Sequence, residues 1–283
     1  MTAAHLDPTL RHDVVLLFEV TDGNPNGDPD AENQPRTDDE TGHGLVTDVA
    51  IKRRIRDIVP LLRPDDLRCG IFVQAGHALN TRWQAARESR PADPVAAVCD
   101  MYFDVRMFGA VLTAGKGVGS TAIRGPVQCG FARSLHPVLP TNHTITRITQ
   151  TRQEDIDKGE TTEIGSKWTV PYGLYRTRLH FAPGQAARTG ITSDDLALLW
   201  QAIEMMFAAN LSANGGVRDV VGLYVFTHPS ALGVASAGAL TGRIRHVLAT
   251  DSPPRTYSDY RPELRTDDLP DGVVLTTLVD AWA

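Results

Sequence analysis

The order of the periodic segments limits the folds open to this chain more than any other feature. Residues 13–20, DVVLLFEV, form a β-branched apolar run that ends at turn residues and reads as a strand. Leu45 to Val59 then places Val49, Ile51, Ile55 and Ile58 near helical spacing, with Thr47 or Asp48 as cap and Pro60 as stop. Cys69–Ala75 has the composition of a strand, and Ala92–Leu112 reads mostly as helix, with Val95, Val98, Met101, Val105 and Phe108 on one side. Residues 126–133 alternate as a strand, with Phe131 expected in the core.

Thr144–Arg152 and Lys167–Leu179 alternate on either side of a charged turn around Asp157–Glu160. Together they read as a long hairpin standing out from the body. Ser193–Ser212 is the clearest helix: Ser193 caps it, and Leu196, Leu199, Ile203, Met206 and Leu211 form an apolar stripe. Residues 220–227, VVGLYVFT, make a core strand, followed by a Gly/Ala/Ser-rich stretch (229–242) and a tail ending VVLTTLV. Strand, helix, strand, strand, helix, strand with insertions predicts an α+β scaffold of the ferredoxin-like or RRM-like kind, enlarged by its loops. At 283 residues it is expected as a single elaborated domain.

Charge adds a functional direction. The net charge is −6, which alone argues mildly against nucleic acid. Yet residues 105–153 hold no carboxylate while carrying Arg106, Lys116, Arg124, Arg133, Arg147 and Arg152, and a second basic cluster is Lys52, Arg53, Arg54 and Arg56. An acidic body with a basic stripe is the footprint of a polyanion groove. The three cysteines lie thirty residues apart without C-x-x-C, which favours neither disulfides nor zinc and fits a reducing cytoplasm. The opening MTAAHLDPTLRHD is not a secretory signal, and no apolar run nears the roughly 20 residues of a membrane helix.

The polar loop from Thr21 to about Gly44 contains D-G-N-P-N-G-D-P-D-A-E-N at 22–33, which partly matches a calcium loop. A strand precedes it, Pro29 interrupts it, and Asn33 stands where the closing carboxylate belongs, so a turn-rich binding loop is expected instead. Asp28 and Asp30 leave a second reading open, a metal-dependent RNA endonuclease. G-K-G-V-G-S-T at 115–121 has the wrong order for a P-loop, and G-F-A at 130–132 is a weak echo of an RRM signature. Nine scattered histidines give no metal spacing, and no nucleophile elbow is present.

Longer stretches resemble a known family. N-P-N-G-D-P-D-A-E-N-Q-P-R at 24–36 and T-G-H-G-L-V-T-D-V-A-I-K-R-R-I-R at 41–56 resemble the CRISPR Cascade backbone subunit of type I-C systems, of the RAMP superfamily. So do F-D-V-R-M-F-G-A-V-L at 103–112, R-G-P-V-Q at 124–128, H-T-I-T-R at 143–147, V-P-Y-G-L-Y-R at 170–176 and G-L-Y-V-F at 222–226, in colinear order.

The resemblance implies an RRM-derived palm (about 13–60, 124–145 and 172–230), helical fingers (61–123), a β-hairpin thumb (146–171) and a C-terminal extension (231–283). It implies a non-catalytic, cofactor-free, cytoplasmic subunit that binds crRNA. Its partners would be head-to-tail copies of itself, other Cascade subunits and, through the guide, a target DNA strand. RNA contacts then fall to Arg36, Lys52, Arg53, Arg56, Lys116, Arg124, Gln128, Arg147, Lys167 and Trp168, with Ile164 as the wedge that displaces one nucleotide. One departure is the weakly charged A-A-N-L-S-A-N-G-G-V-R at 208–218, which leaves the role of Arg218 open.

Overall fold

The fold was taken from a computed structural model describing residues 3–113, 120–159, 161–208 and 215–282. Strand β1 (His12–Gly23) is followed by the minimal ribbon β2 (Gly27–Asp28) and β3 (Gln34–Pro35), then β4 (His43–Val46) and helix α1 (Asp48–Leu62). Three short helices come next: α2 (Leu79–Ser89), α3 (Pro94–Met101) and α4 (Phe103–Phe108). The hairpin β5 (Gly109–Thr113) and β6 (Ser120–Arg124) leads to β7 (Val127–Cys129) and β8 (Ala132–Pro137). β9 (Thr141–Arg147), the short α5 (Gln153–Asp157) and β10 (Glu163–Phe181) form the projecting hairpin. The remainder is α6 (Pro183–Thr189), α7 (Ser193–Glu204), β11 (Val217–Thr227), α8 (Ala237–Thr241), β12 (Ile244–Leu248), β13 (Tyr260–Leu264) and β14 (Val274–Asp280).

The central sheet runs β14-β11-β1-β10-β8-β4, every neighbour antiparallel. β1 is flanked by β10 and β11, so its near-continuous apolar run has both faces to bury. Val14, Leu16, Phe18 and Val20 enter one core with Ile51, Ile55, Ile58 and Val59 of α1 and Leu196, Leu199 and Ile203 of α7. Val15 and Leu17 enter a second core on the opposite face, roofed by Leu240, Ile244, Tyr257 and Tyr260 of the C-terminal extension. Full burial of side chains of this size stabilises by about 1.5–3 kcal/mol each. The chain is thus an RRM-like α+β palm, with helices on one face and an appended roof on the other.

A third core holds Phe72, Trp83, Val98, Tyr102, Val105 and Leu112 and defines the helical fingers. The turn from α4 into β5 needs glycine: Gly109 has φ of 81°, and a Cβ there would meet the Ile123 carbonyl oxygen at 2.2 Å.

The structure changes several sequence expectations. Cys69–Ala75 is not a strand. Leu67–Cys69 is a 3₁₀ turn, and the amides of Phe72 and Val73 donate to the Asp104 carboxylate instead of to a ladder. Pro60 does not stop α1, which continues to Leu62 with Thr47 as its cap; in the last turn a proline removes little of the helical hydrogen bonding. The predicted helix over 92–112 is cut at Tyr102 and becomes strand at Gly109, and α2 was not anticipated. Thr192, not Ser193, caps α7, through a capping box with Asp195. Phe131 is exposed, because the 126–133 strand breaks at Gly130–Phe131 between β7 and β8. The 115–119 loop, Glu160, Leu211 and Ser212 lie outside the described residues.

Candidate nucleic-acid interface

The Asn/Pro/Gly loop is a stitched clasp. Asn24 Nδ2 donates to the Asn33 carbonyl (2.6 Å), closing its two ends. Gly27–Asp28 pairs with Gln34–Pro35, and Asp28 accepts from the Asp30 amide (3.1 Å) and from Arg36 Nη1 (2.9 Å). Asp22, Glu32 and Asn33 take left-handed φ values of 50°, 52° and 62°, conformations that short polar residues tolerate best. Asn26 Oδ1 accepts from the Thr47 amide at 2.9 Å, while Thr47 Oγ1 accepts from Ala50 at 3.2 Å. The clasp is therefore fastened to the N-terminus of α1.

Between the clasp, α1 and the start of β11 lies an open cleft of about 450 Å³, lined by Asn24, Asn26, Arg53, Arg54, Asp57 and Arg218 among others. Arg53 is 73% exposed at its mouth, with Nε 3.7 Å from Asp57. Burial lowers the Arg54 guanidinium from its ordinary value, offset in part by Asp57. Burial and then the neighbouring Arg54 bring Arg218 down to about 10. Arg218 Nη2 donates to the Asn24 carbonyl, but its Nε, like Asn24 Oδ1, is buried with no protein partner. Partly desolvated, mutually repelling guanidiniums with donors left over favour an incoming anion, since charge-assisted hydrogen bonds to phosphate are the strong kind. Such contacts carry no sequence information.

Residues 10–265 match the family model described as CRISPR-associated protein Cas7. The chain belongs to the Cas7 family. A curated relative, the CRISPR-associated protein Cas7 of Haloferax volcanii, is 31% identical over 114 residues, an alignment spanning 36% of this chain and 32% of the relative. A chain of a CRISPR RNA-guided surveillance complex in a pre-nicking state shares the fold at 10% identity with a TM-score of 0.52, covering 76% of this chain and 78% of that one. A chain of a second CRISPR RNA-guided surveillance complex aligns at 14% identity with a TM-score of 0.45, covering 76% and 68%.

In this Cas7 chain the cationic side of α1 splits. Arg53 and Arg54 face the cleft, whereas Lys52 pairs with Asp48 (2.9 Å) and Arg56 with Asp104 (2.8 Å), and both cations lie over the Phe108 ring. Arg36 is held by Asp28, with its Nε buried and unpartnered. Arg124 and Gln128 are exposed beside the fingers; Gln128 Nε2 donates to the Gly125 carbonyl at 3.1 Å. Lys116 lies outside the described residues.

The hairpin register, from Arg147↔Glu163 to Thr141↔Thr169, puts Arg147 and Lys167 on one face and Ile164 and Trp168 on the other. Arg147 is tied to Glu163 and to Thr151 Oγ1 (2.5 Å). Ile164 is 73% exposed, and the Trp168 indole N–H is buried without a protein partner. Arg106, counted above in the basic stripe, is 0% exposed and paired to Asp195 at 2.6 Å. Arg133 is paired to Asp38 at 2.7 Å. The acid-poor segment is thus no single surface track: none of its described residues lines the cleft.

Sequence reasoning left Arg54 out of the candidate contacts and the role of Arg218 open. Arg54 was legible in the run K-R-R-I-R; Arg218 was masked by the weakly charged residues before it. Among the described residues, no group of three or more His, Cys, Asp and Glu side chains converges to hold a metal, and no helix is long and apolar enough to cross a membrane.

Proposed function

We propose that this Cas7 chain is a non-catalytic, cytoplasmic crRNA-binding backbone subunit of a type I-C surveillance complex. In this reading copies stack head to tail along the guide and present it for pairing with target DNA. The observation that carries it is the Arg53–Arg54–Arg218 cleft in a chain of this family: grouped guanidiniums grip sugar–phosphate without reading bases, as a holder of variable guides requires. The fold shared with a chain of a CRISPR RNA-guided surveillance complex supports the RNA-guided setting, and the long motif resemblance supports the type I-C subtype. Arg36, Lys52, Arg53, Arg56, Lys116, Arg124, Gln128, Arg147, Lys167 and Trp168 remain proposed contacts, with Ile164 the proposed wedge. To these we add Arg54 and Arg218.

A head-to-tail contact is heterologous and builds open helices rather than closed dimers. The non-catalytic reading is supported by the engagement of Asp28, one of the two carboxylates on which the alternative endonuclease could draw: it caps the turn at Asp30 and binds Arg36. The decisive experiment uses purified protein. Co-purifying RNA should raise the 260/280 absorbance ratio, and charge reversal at Arg53, Arg54 and Arg218 should weaken binding equally for unrelated sequences. Loss of affinity for only some sequences sinks the backbone-grip reading. Mg²⁺-dependent RNA cleavage that disappears in D28A/D30A would replace it with the nuclease reading.

A further inference from the structure

A second cationic surface lies on the other face of the sheet. In the β1–β10 register Arg176 and Arg178 stand opposite Leu17 and Val15, members of the roofed core, whereas Arg218 stands opposite Val20, a member of the helix-covered core. β8 sets Arg133 directly across from Arg176. At the break before β8, Phe131 stands 55% exposed. Phe131, Arg133, Leu135, Arg176 and Arg178 surround an open hollow of about 290 Å³.

Charge compensation in this hollow is thin. Arg133 has Asp38. Arg176 donates through Nη2 to the Thr241 carbonyl, and its Nε is buried without a protein partner. Burial, then Arg178 and then Arg245 of β12, bring Arg176 down to about 10. Among the described residues neither Arg178 nor Arg245 has an ion-pair partner, and both are exposed.

We propose that this hollow binds a segment of single-stranded nucleic acid separate from any strand in the Arg53–Arg54–Arg218 cleft, its phosphates on Arg176 and Arg178, a base against Phe131, and Arg245 adding its charge from outside the lining. An exposed ring at the rim of a cationic groove is the combination by which single strands are held: phosphate contact plus sequence-tolerant stacking. The hollow is near the lower end of the range of small-ligand pockets, a volume suited to one nucleotide rather than to a broad protein face. The inference stands whether or not the first cleft holds a guide.

The test uses the full chain and a fluorescein-labelled, mixed-sequence single-stranded oligonucleotide, read by anisotropy. In the R53E/R54E variant, residual salt-dependent binding should persist, and adding R178E/R245E should weaken it at least tenfold and flatten its salt dependence. F131A should weaken binding several-fold with the salt dependence unchanged, and ultraviolet crosslinking should mark the peptide containing Phe131. Arg178 and Arg245 are exposed, so an unchanged melting curve confirms that the variants fold. Absence of residual binding in R53E/R54E, or indifference of binding to R178E/R245E, overturns the proposal. If R178E/R245E abolishes self-association while oligonucleotide affinity holds, the hollow is a protein interface and the proposal fails. Should R53E/R54E leave oligonucleotide affinity at the wild-type level while R178E/R245E lowers it, the guide-cleft reading fails and this one survives.

Discussion

Arg56 Nε donates to Asp104 Oδ2 at 2.8 Å, and the same carboxylate accepts the backbone amides of Phe72 (2.7 Å) and Val73 (3.0 Å). One buried acid thereby fastens α1 to the fingers and organises the loop at residues 70–73. Two neighbouring arginines on one helix consequently have different jobs. R56E should cost about 3 kcal/mol or more by setting two carboxylates against each other, whereas R53E, at an exposed site, should leave the melting temperature within a few degrees and weaken RNA binding. Thermal melts beside binding isotherms separate the two; equal melting temperatures would refute the assignment.

The Arg106–Asp195 pair makes a sharper claim on stability. Arg106 also donates to the carbonyls of Cys99 (2.5 Å), Arg68 (3.1 Å) and Asp100 (3.4 Å), so its removal takes the donor from these three carbonyls and from the Asp195 carboxylate. R106A should lower stability by about 3–5 kcal/mol, read as a fall in the urea midpoint with the slope retained. A change below about 1 kcal/mol would show that the fingers and α7 are not coupled through this pair.

Acid should destabilise the palm in a defined window. Burial holds His12, His136 and His246 at about 4, below the ordinary 6.5. As pH falls below about 6.5 the unfolded chain takes up these protons before the folded one does. Stability is therefore fully present near pH 7, declines from about 6.5 to about 4, and loses nothing more from these groups below that. The fully buried His12 alone corresponds to about 3 kcal/mol at the bottom of the window, and the partly exposed pair adds less. Melting temperature against pH tests this, and H12Q should flatten the curve.

On the hairpin, Ile164 stands free of any core, so I164D should leave the melting temperature unchanged. It should also leave overall RNA affinity within about twofold, because the phosphate grip lies elsewhere. What it should abolish is regular spacing in nuclease-protection footprints. Normal footprints from I164D would remove Ile164 from the wedge role.

How far the sequence foretold this architecture depended on the range of the forces involved. β1, β11, the hairpin and α1 were legible because local periodicity decides them: Val14–Val20 must be buried on both faces, and Ile51, Ile55 and Ile58 form one stripe. The segment at residues 69–75 was misread because its amides are satisfied by Asp104, some thirty residues away, and no local pattern announces that. Lysines and arginines were the least legible class. Composition places Arg53, Arg56 and Arg106 in one basic population, yet Asp57, Asp104 and Asp195 send them to a cleft mouth, a helix junction and the interior. Phe131 was misplaced for a related reason: aromatic character predicts burial, but the break at Gly130 turns the ring outward.

β10 is a single strand of 19 residues that begins in the hairpin, opposite Arg147, and ends deep in the palm, where Phe181 faces His12. No hinge loop separates the two ends, so the tip cannot swing on that side without flexing a hydrogen-bonded rail. In a filament of such chains the distance each hairpin reaches would be set by strand rise rather than by loop breathing, and every repeat would measure out the same length of guide.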